Sequence, residues 1–523
     1  MLTSERNALF HKERTENPMA AHHPATQAPR SPNRRWLGFF AVLAAMIMNL
    51  LDSTIVNVAA PSIRAELGGT NASLQWMAAA YPLALAVGLL TGGRLGDMYG
   101  RRRMLMAGAA GFVAASLAAA GAFNPETLIA ARVVQGVFGA VMIPQAFGLI
   151  RDLFPPQHIG KAFAALGPVI GLSTILGPIV AGLLVDADLF GIGWRMIFAI
   201  NLPIGGFTLL AGRIALPTAP RAHDRPARLD LTGTVLAGAG MFGLVYPLVQ
   251  GAELGWPAWT FAMLAGAVAV LGLFAAHQHH RTRTNRTPLV QLSVLAKRSY
   301  SSGVMFVVAF FGAVAGLALA LGLFLQLGLG YSPIRASLTM ATWALGAFFG
   351  SGFAATARAK LGRRIIHLGL AIMAAGIAGL TLVFHLAGSV GDAQLALPLA
   401  GFGLGMGMIF VPLFDIIMGE IADHEVGSAA GLLESIQQLG GSLGVAALGS
   451  IFFAAAGSPT ANGHFAAAAA TNAAAATTLA ALALTAVAFA LGFLLPKTTR
   501  PQPSHDPVAH EEAPAAAPVP IAA

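Results

Sequence analysis

Two charged side chains interrupt long apolar runs of the sequence and are its clearest candidates for chemistry. Asp52 lies in the run 37–60 and Arg132 in the run 127–150, each long enough to cross a bilayer as a helix. A carboxylate in hydrocarbon is costly, so an acid within a span is a functional candidate by default. A nearby arginine would hold Asp52 ionised until a proton or cation competes. The simpler alternatives are a helix-packing hydrogen bond for the acid and an arginine bound only by carbonyls.

Helix geometry allows the two charges to meet. With the N-terminus inside, Asp52 lies roughly 24 Å up a hydrocarbon core of about 30 Å. Arg132 lies roughly 8 Å below the outer end of its span, which is a similar depth. We therefore assign the pair to proton coupling. A substrate cavity beside it is predicted from polar residues on the same faces: Gln135 after Arg132 and, four residues apart, Asn49, Ser53 and Asn57.

Two acids lie within apolar runs of the second half of the chain. Glu434 lies about a third of the way along the run 427–454, and Gln437 and Gln438 share its helix face. We assign the glutamate to a second protonatable site and the glutamines to the substrate cavity. Asp415, near the inner end of its run, is a further candidate for proton coupling, with a simple interfacial position as the alternative.

A short charged segment at residues 93–103 separates two further apolar runs and is predicted to be a loop that gates conformational change. It places one acid and several arginines at one membrane face, with glycines that let a turn approach a neighbouring helix. A loop that only fixes topology would explain the arginines but not the spacing of the acid and glycines. The residues assigned to gating are Gly93, Asp97, Gly100, Arg101 and Arg102.

Composition places these residues in a polytopic membrane protein. Of 523 residues, 56% are hydrophobic and 10% are charged, whereas soluble proteins carry about 25% charged residues. The sequence has no cysteine, which excludes disulfides, thiol nucleophiles and thiolate metal sites. Fourteen apolar spans are predicted, near residues 37–60, 73–92, 104–123, 127–150, 162–185, 196–216, 230–250, 257–277, 300–326, 334–357, 365–387, 394–418, 427–454 and 474–495.

Lysine and arginine residues set the predicted orientation. The net charge is +9, and most basic residues lie in every second connecting segment. This distribution predicts that these segments lie on the inside of the membrane, and it argues against a nucleic-acid partner. Only Arg64, Arg195 and Arg335 fall on the opposite face. The chain is therefore expected to be a multi-pass protein of the cell (inner) membrane with both termini in the cytoplasm.

A weak internal repeat divides the chain into halves. Tyr81 precedes Gly100 by 19 residues and Trp343 precedes Gly362 by 19, with two arginines after each glycine. Duplicated halves are typical of secondary transporters. The predicted domains are a disordered cytoplasmic tail at 1–35, a six-helix bundle at 36–216, two inserted spans with cytoplasmic linkers at 217–299, a second six-helix bundle at 300–496 and a disordered cytoplasmic tail at 497–523.

The segment 93–103 resembles the signature loop between spans 2 and 3 of the major facilitator superfamily, G-x-L-x-D-x-x-G-R-[KR]-[RK]. In the second copy of the repeat, Ala359 stands where the first copy has Asp97, so any special role of that acid is confined to the first half. The matching residues are Gly93, Leu95, Asp97, Gly100, Arg101 and Arg102.

Two stretches with ionisable residues resemble motifs of the fourteen-span drug:proton antiporters of that superfamily. Residues 51–61 are similar to L-D-x-T-[IV]-V-N-V-A-L-P, with Ala60 in place of a leucine. The stretch that begins at Arg132 is similar to R-x-x-Q-G-x-x-x-A/G, whose arginine is implicated in proton coupling. The resemblance therefore adds to the assignment of Asp52 and Arg132.

Two other stretches resemble further motifs of these antiporters. Residues 194–205 are similar to W-R-W-I-F-x-I-N-x-P-I-G, with Met196 in place of a tryptophan, and Trp194 and Arg195 are expected at the lipid headgroups. The antiporter motif G-x-x-x-G-P-x-x-G-G is associated with export, and span 5 resembles it, with Ala181 in place of a glycine. Its residues here are Gly171, Gly177, Pro178 and Gly182.

The resemblance implies an all-α major facilitator fold: two six-helix bundles plus two extra spans, with alternating access to a central cavity. It implies export of drugs or other small amphipathic organic compounds, driven by the proton gradient without a cofactor. The alternative within transport is a dedicated exporter of one endogenous metabolite. A membrane enzyme or receptor is a different class, but no catalytic constellation and no large extramembrane segment is recognisable in the sequence.

The expected partners are a small-molecule substrate, protons and the lipid bilayer, and the chain is expected to act as a monomer. A periplasmic adaptor and an outer-membrane channel are left open as partners. No metal site is predicted, because His277, His279 and His280 adjoin a basic loop and are expected to be solvated.

Overall fold

The fold is all-helical, as predicted, in the part of the chain that the structure describes. The computed structural model describes residues 32–155, 158–159, 162, 173, 176–218, 229–386, 390–422, 425–460 and 463–496. Thirteen helices in these ranges are long and apolar enough to cross a membrane. Predicted span 5 is represented by the shorter apolar helix Leu176–Asp186, because most of residues 162–175 lie outside the described ranges. The fourteen-span fold class is thereby confirmed.

We number the helices so that each label matches a predicted span. The first bundle comprises α1 Pro32–Leu67, α2 Asn71–Tyr99, α3 Arg101–Ala120, α4 Pro125–Leu153, α5 Leu176–Asp186 and α6 Asn201–Ala215. The intervening pair is α7 Leu231–Glu253 and α8 Ala258–Arg283. The second bundle comprises α9 Arg298–Leu323, α10 Pro333–Leu361, α11 Arg364–Leu386, α12 Asp392–Met418, α13 Val426–Ala456 and α14 Ala467–Gly492.

Some helix boundaries differ from the predicted ones. Helix α1 begins at Pro32, inside the predicted tail 1–35, because proline is well suited to the first turn of a helix. Helix α14 begins at Ala467, before predicted residue 474, within a run of alanines that strongly favours helix. Residues 1–31 and 497–523 of the two predicted tails lie outside the described residues.

The predicted gating loop 93–103 is almost entirely helical. Helix α2 continues to Tyr99, and α3 begins at Arg101, so Gly100 alone separates them. Gly100 has φ +92°, a conformation that favours glycine and ends α2 sharply. Gly362 has φ +50° and, with Arg363, separates α10 from α11. The internal repeat is therefore visible as two matching helix breaks.

The two bundles meet along α2 and α13. Ser435 Oγ on α13 donates to the carbonyl of Ala86 at 2.6 Å, and Ser450 Oγ donates to Gln75 Oε1 at 3.3 Å. On another side of the molecule, the N–H of Ile334 on α10 donates to Asp186 Oδ2 on α5 at 3.2 Å. At the first contact, the second helix of the first bundle (α2) meets the fifth helix of the second bundle (α13). At the other contact, the second helix of the second bundle (α10) meets the fifth helix of the first bundle (α5).

Helices α7 and α8 lie outside the ring of helices that the two bundles form. Helix α7 packs against both α2 and α13, whereas α8 packs mainly on α7. Only 11% of the apolar window of α8 is buried, compared with 67% for α2 and α13. Where α7 contacts the first bundle, Trp76 of α2 stacks on Phe242 of α7 with ring centroids 5.8 Å apart. The position of this pair leaves α8 the most lipid-accessible of the long helices described.

A polar network fastens α7 and α8 together at the basic face, meaning the membrane face that carries Arg94 and Arg281. Asp230 precedes α7 and is buried. Its carboxylate accepts from His277 Nε2 at 2.9 Å and Gln278 Nε2 at 2.8 Å, both on α8, and from the N–H of Gly233 at 3.0 Å. This carboxylate thus accepts hydrogen bonds from a backbone N–H at the start of α7 and from two side chains near the end of α8.

The segment between α8 and α9 connects the two bundles at the basic face. Arg94 of α2 donates to the carbonyl of Pro288. The N–H of Gln291 donates to Ser428 Oγ on α13 at 3.2 Å, and Ser293 Oγ donates to Glu425 Oε1 at 2.5 Å. The hydrogen bond from Lys297 holds the pKa of Glu425 down at about 2, so this anchor stays ionised at physiological pH.

Candidate functional site

The structure brings Asp52 and Arg132 into direct contact. Asp52 lies near the middle of α1 and Arg132 in the first half of α4, and their side chains are 0% and 1% exposed. One guanidinium nitrogen of Arg132 donates to Asp52 Oδ2, and the other donates to the Asp52 carbonyl at 3.3 Å. The similar depths estimated from helix rise thus correspond to a buried ion pair.

The second oxygen of Asp52 accepts from two side-chain amides. Gln135 Nε2 lies 3.1 Å and Asn201 Nδ2 lies 2.9 Å from Asp52 Oδ1. Both amides also donate to Ser116 Oγ, at 2.8 Å and 3.1 Å respectively. Gln135 Oε1 in turn accepts from Arg132 at 3.0 Å. Because all five side chains are fully buried, the carboxylate is held without bulk water by donors from α4 and α6, and Ser116 of α3 supports the two amides.

Tyr81 of α2 forms one wall of the site. The Arg132 guanidinium lies over the Tyr81 ring, 4.4 Å from its centroid, as in a cation–π contact. The Tyr81 hydroxyl is hydrogen-bonded to Asn49, which belongs to the predicted polar stripe. A Cβ added at Gly136 would strike the Tyr81 carbonyl, so a glycine is required for α4 to approach α2 this closely. The aromatic wall therefore limits how far Arg132 can move.

Asn201, Ser116 and Tyr81 are residues of this cluster that sequence reasoning did not assign to the site. Asn201 belongs to the 194–205 motif, in which the sequence analysis assigns a place only to Trp194 and Arg195. Ser116 is a single small hydroxyl in an alanine-rich helix, and Tyr81 was noted only as a marker of the internal repeat. For each of these three residues, the one feature in the sequence that could have indicated a role in the site is a polar side chain within an apolar span.

The lead-in to α6 explains how Asn201 reaches the site. Trp194 Nε1 donates to Glu66 Oε2 at 2.7 Å, and Arg195 pairs with Glu66 Oε1 at 2.5 Å. Trp194 is buried against the end of α1 and stacks edge-on against Phe198. The expected headgroup anchor is therefore bound to protein, and it fixes the register at which α6 begins.

The other members of the predicted stripe on α1 are half-buried. Ser53 Oγ donates to the Leu50 carbonyl at 2.7 Å, a local bond within the helix. One residue beyond Asn57, the carbonyl of Val58 accepts from Gln326 Nε2 of the second bundle at 3.0 Å. Ser53 and Asn57 thus lie where α1 turns toward the second bundle, whereas Asn49 contacts Tyr81.

Glu434 lies on α13, at the junction of the two bundles. It is half-buried, and its Oε1 accepts from Gln438 Nε2 at 3.1 Å. The buried Oε1 of Gln437 has no hydrogen-bond partner among the described residues. The next residue, Ser435, donates to the Ala86 carbonyl, so Glu434 lies beside α2, the helix that carries Tyr81. The structure therefore places Glu434 near the first-bundle cluster but outside its hydrogen bonds.

Asp415 lies apart from the buried cluster. It forms an ion pair with Arg358 of α10 near the inner ends of both helices, and each side chain is 48% exposed. Exposed pairs of this kind contribute little to stability. The structure therefore places Asp415 in the interfacial position that the sequence left as an alternative.

The predicted gating residues surround the break at Gly100. Arg101 pairs with Asp152 of α4 at 3.3 Å, and Arg102 donates to the carbonyl of Arg213 of α6 at 2.6 Å. Asp97 is exposed and makes no ion pair within 4.0 Å in the described part of the chain. Gly93 lies half-buried one turn before Asp97. These arginines thus connect the α2–α3 break to α4 and α6.

Two residues of the predicted antiporter motif lie at helix contacts. A Cβ on Gly177 would lie 2.6 Å from Thr54 Oγ1 of α1, and one on Gly182 would lie 2.7 Å from the carbonyl of Pro333 at the start of α10. Pro178 occupies the first turn of the described α5, and Gly171 lies outside the described residues. The motif spacing places its first glycine four residues before Gly177, where this sequence has Ser173, so the assignment of Gly171 to the motif is wrong. The motif glycines that are described therefore allow α5 to touch both bundles.

Comparisons with known proteins give one consistent family. The family model described as Major Facilitator Superfamily matches residues 42–231 and 226–445. The chain is 46% identical to the probable actinorhodin transporter of Streptomyces coelicolor, over 81% of this chain and 74% of that protein. It is 34% identical to the tetracenomycin C resistance and export protein of Streptomyces glaucescens, over 82% of this chain and 77% of that protein.

A solved structure shows the same fold at low sequence identity. The crystal structure of a peptide transporter in complex with sulfate superposes with a TM-score of 0.62 and 17% identity. The match covers 89% of this chain and 97% of the transporter. At this identity the likeness concerns the arrangement of helices.

Proposed function

We propose, from the premise that this chain belongs to the Major Facilitator Superfamily, that it is a proton-coupled exporter of drug-like organic compounds. The buried ion pair of Asp52 and Arg132 is the observation that carries the proposal. A carboxylate that is fully desolvated and fully hydrogen-bonded can exchange its proton only when its donors move. Alternating access supplies such movement, so proton binding can be tied to conformation.

The direction of transport is proposed from the relatives. One is a transporter of the antibiotic actinorhodin, and another confers resistance to tetracenomycin C and exports it. Both names refer to transport of a small organic compound, so we place this chain's substrates among drugs and other small amphipathic organic compounds. Export of such compounds against a concentration gradient requires energy, which the inward proton gradient would supply without a cofactor.

The remaining features follow the same proposal. The protein would act as a monomer in the cytoplasmic membrane, with the basic face and both termini inside. The basic residues clustered at alternate helix ends support this orientation. If an adaptor protein is required, its removal should abolish export from whole cells, whereas transport in proteoliposomes should not depend on it.

Transport in proteoliposomes tests the proposal. Purified protein is reconstituted, a pH gradient is imposed, and uptake is measured for a panel that includes ethidium and tetracenomycin C. Accumulation above the equilibrium level in response to the gradient is expected, and Asp52→Asn should abolish it. Downhill exchange of a neutral substrate should persist in that variant, because exchange needs no net proton movement.

Asp415→Asn is the matched control, because it removes another carboxylate, whose one ion pair among the described residues is exposed. This variant should accumulate substrate as the wild type does. If Asp52→Asn still accumulates substrate uphill, the assignment of coupling to Asp52 is wrong, and Glu434 becomes the candidate, or Asp415 if Asp415→Asn loses uphill transport.

A dedicated exporter of one endogenous metabolite remains the second candidate function. Its supporting observation is the 46% identity to a transporter named for a single compound. The number of panel compounds that are transported distinguishes the two functions. Uphill transport of several unrelated compounds supports drug export, whereas transport of one compound only supports the dedicated exporter.

A further inference from the structure

Asn201 is a fully buried amide whose hydrogen bonds are unusual for a structural residue. Its Nδ2 donates to Asp52 Oδ1 at 2.9 Å and to Ser116 Oγ at 3.1 Å, while its Oδ1 is buried without a partner. A buried acceptor without a hydrogen bond costs free energy. A side chain that served stability alone would be better replaced by an apolar one. The hydrogen bonds to Asp52 and Ser116 therefore explain why an asparagine is buried at this position.

We propose that Asn201, steadied by Ser116, is a positioning residue that holds the carboxylate of Asp52 in its ionised form. Hydrogen bonds to the ionised form of a carboxyl group favour that form. Arg132 serves one oxygen of Asp52, and the two amides of Gln135 and Asn201 serve the other. This inference rests on the proposed coupling role of Asp52.

The local structure keeps the Asn201 amide in place. The segment before α6 is anchored to α1 by Trp194 and Arg195, which both bind Glu66. Asn201 itself is the first residue of α6. Ser116 Oγ donates to the Phe112 carbonyl at 2.9 Å, so its lone pairs are left to receive the two amides. The amide of Asn201 thus moves with α6 and the end of α1.

Few ionisable groups in the described part of the chain face Asp52. Arg132 lies on α4 and Tyr81 on α2, while α3 and α6 contribute only the neutral groups Ser116 and Asn201. From the second bundle, α13 packs on α2 and carries Glu434. A change at Asn201 removes no charge, so its effect on Asp52 protonation reports the hydrogen bond itself.

Infrared titration of the purified protein tests the proposal without any substrate. The band of the protonated carboxyl is followed against pH, and its contribution from Asp52 is identified by its loss in Asp52→Asn. Asn201→Leu keeps a similar volume but removes the donor. It should move the midpoint of that band upward by about one to two pH units, since a hydrogen bond to a charged group is removed.

Two further variants complete the test. Ser116→Ala should move the midpoint in the same direction but by less, because Ser116 orients the amides and does not touch Asp52. Thr208→Val is the matched control, since Thr208 is a buried residue of α6 whose hydroxyl bonds, among the described residues, only the Ile204 carbonyl, at 3.0 Å. It should leave the midpoint unchanged.

The outcomes separate this inference from the proposed function. An unmoved or lowered midpoint in Asn201→Leu overturns the inference, as does an equal shift in Thr208→Val. If Asn201→Leu does not fold, Ser116→Ala decides in the same way. Failure of the proposed function appears elsewhere, as uphill transport that survives Asp52→Asn in proteoliposomes.

Discussion

A buried carboxylate is stable only while its donors remain in place, and Asp52 has donors from two other helices, α4 and α6. Removing one partner of a buried ion pair typically costs about 3–5 kcal/mol, because an uncompensated charge is left behind. Protonation of Asp52 relieves that cost. Any movement that withdraws Arg132 from Asp52 therefore promotes proton uptake, and this links the chemistry of one residue to helix motion.

Substitution of Arg132 should change the pH dependence of transport. In Arg132→Ala the ionised carboxylate loses its charge partner, so Asp52 is protonated at higher pH and the pH optimum of uphill transport should rise. Arg132→Lys keeps the charge but loses the two-pronged contact, and it should shift the optimum less. Ethidium uptake into proteoliposomes over a range of pH measures both variants. Unchanged optima would show that the pair does not control protonation.

The contact between Asp52 and Arg132 could be anticipated from the sequence, whereas the rest of the cluster could not. Depth along a helix follows from residue number and rise alone, so two charges in separate spans could be compared. Asn201 and Tyr81 reach the pair through the packing of α6 and α2 against α1 and α4. That packing depends on contacts distant in sequence, such as Trp194 with Glu66.

At the scale of elements, the break at Gly100 is sharper than the predicted loop. The glycines of the segment are expected from the sequence to let a turn approach a neighbouring helix, whereas Gly96 makes such an approach from within α2. A Cβ on Gly96 would collide with the side chain of Gln145 on α4. A sequence pattern shows that a residue must be small, but it does not show whether a turn or a helix contact requires it.

Asp97→Asn should impair transport while leaving insertion into the membrane intact. Asp97 is exposed at the basic face and acts electrostatically on Arg94, which binds the carbonyl of Pro288 between α8 and α9. Removing its charge alters how Arg94 holds that segment as the face opens. Dye efflux at matched protein levels measures the effect, with Glu253→Gln at the opposite face as the control. Normal efflux by Asp97→Asn would contradict the gating role.

Asp230→Ala should destabilise the association of α7 with α8. It removes a helix cap and leaves His277 and Gln278 without their acceptor, at a cost of about 1–2 kcal/mol. Thermal unfolding of the purified protein measures the loss, and the exposed Asp415→Ala is the control. An unfolding temperature equal to that of the wild type would show that the network contributes nothing.

The Asp230 network should also weaken in acid. Burial alone would raise the pKa of Asp230, but hydrogen bonds from His277, Gly233 and Gln278 and the charge of Arg281 together lower it. A carboxyl whose pKa is lowered in the folded state stabilises the fold above its unfolded pKa of about 3.9. This contribution is lost as pH falls through the lowered value. The difference in unfolding temperature between wild type and Asp230→Ala should therefore vanish in strong acid.

At the scale of the whole molecule, α7 and α8 should not line the substrate cavity. The sequence has no cysteine, so a single introduced cysteine is labelled without background. Val268→Cys and Leu273→Cys lie on the exposed face of α8 and should react only with membrane-dissolved maleimides. Ser53→Cys on α1 should instead be protected by substrate. Protection of residue 268 or 273 by substrate would place α8 in the cavity.

The position of α7 has a consequence for compounds that arrive through the lipid. A fold of two bundles has two lateral seams, here along α2 and α13 and along α5 and α10. Helix α7 covers the first seam, since Gly238 packs on Val87 of α2 and the Leu248 carbonyl accepts from Ser450 of α13 at 2.8 Å. An amphiphile diffusing in one leaflet therefore meets a closed edge there. Lateral traffic, where it occurs, is confined to the α5–α10 side, and access from the bilayer is one-sided.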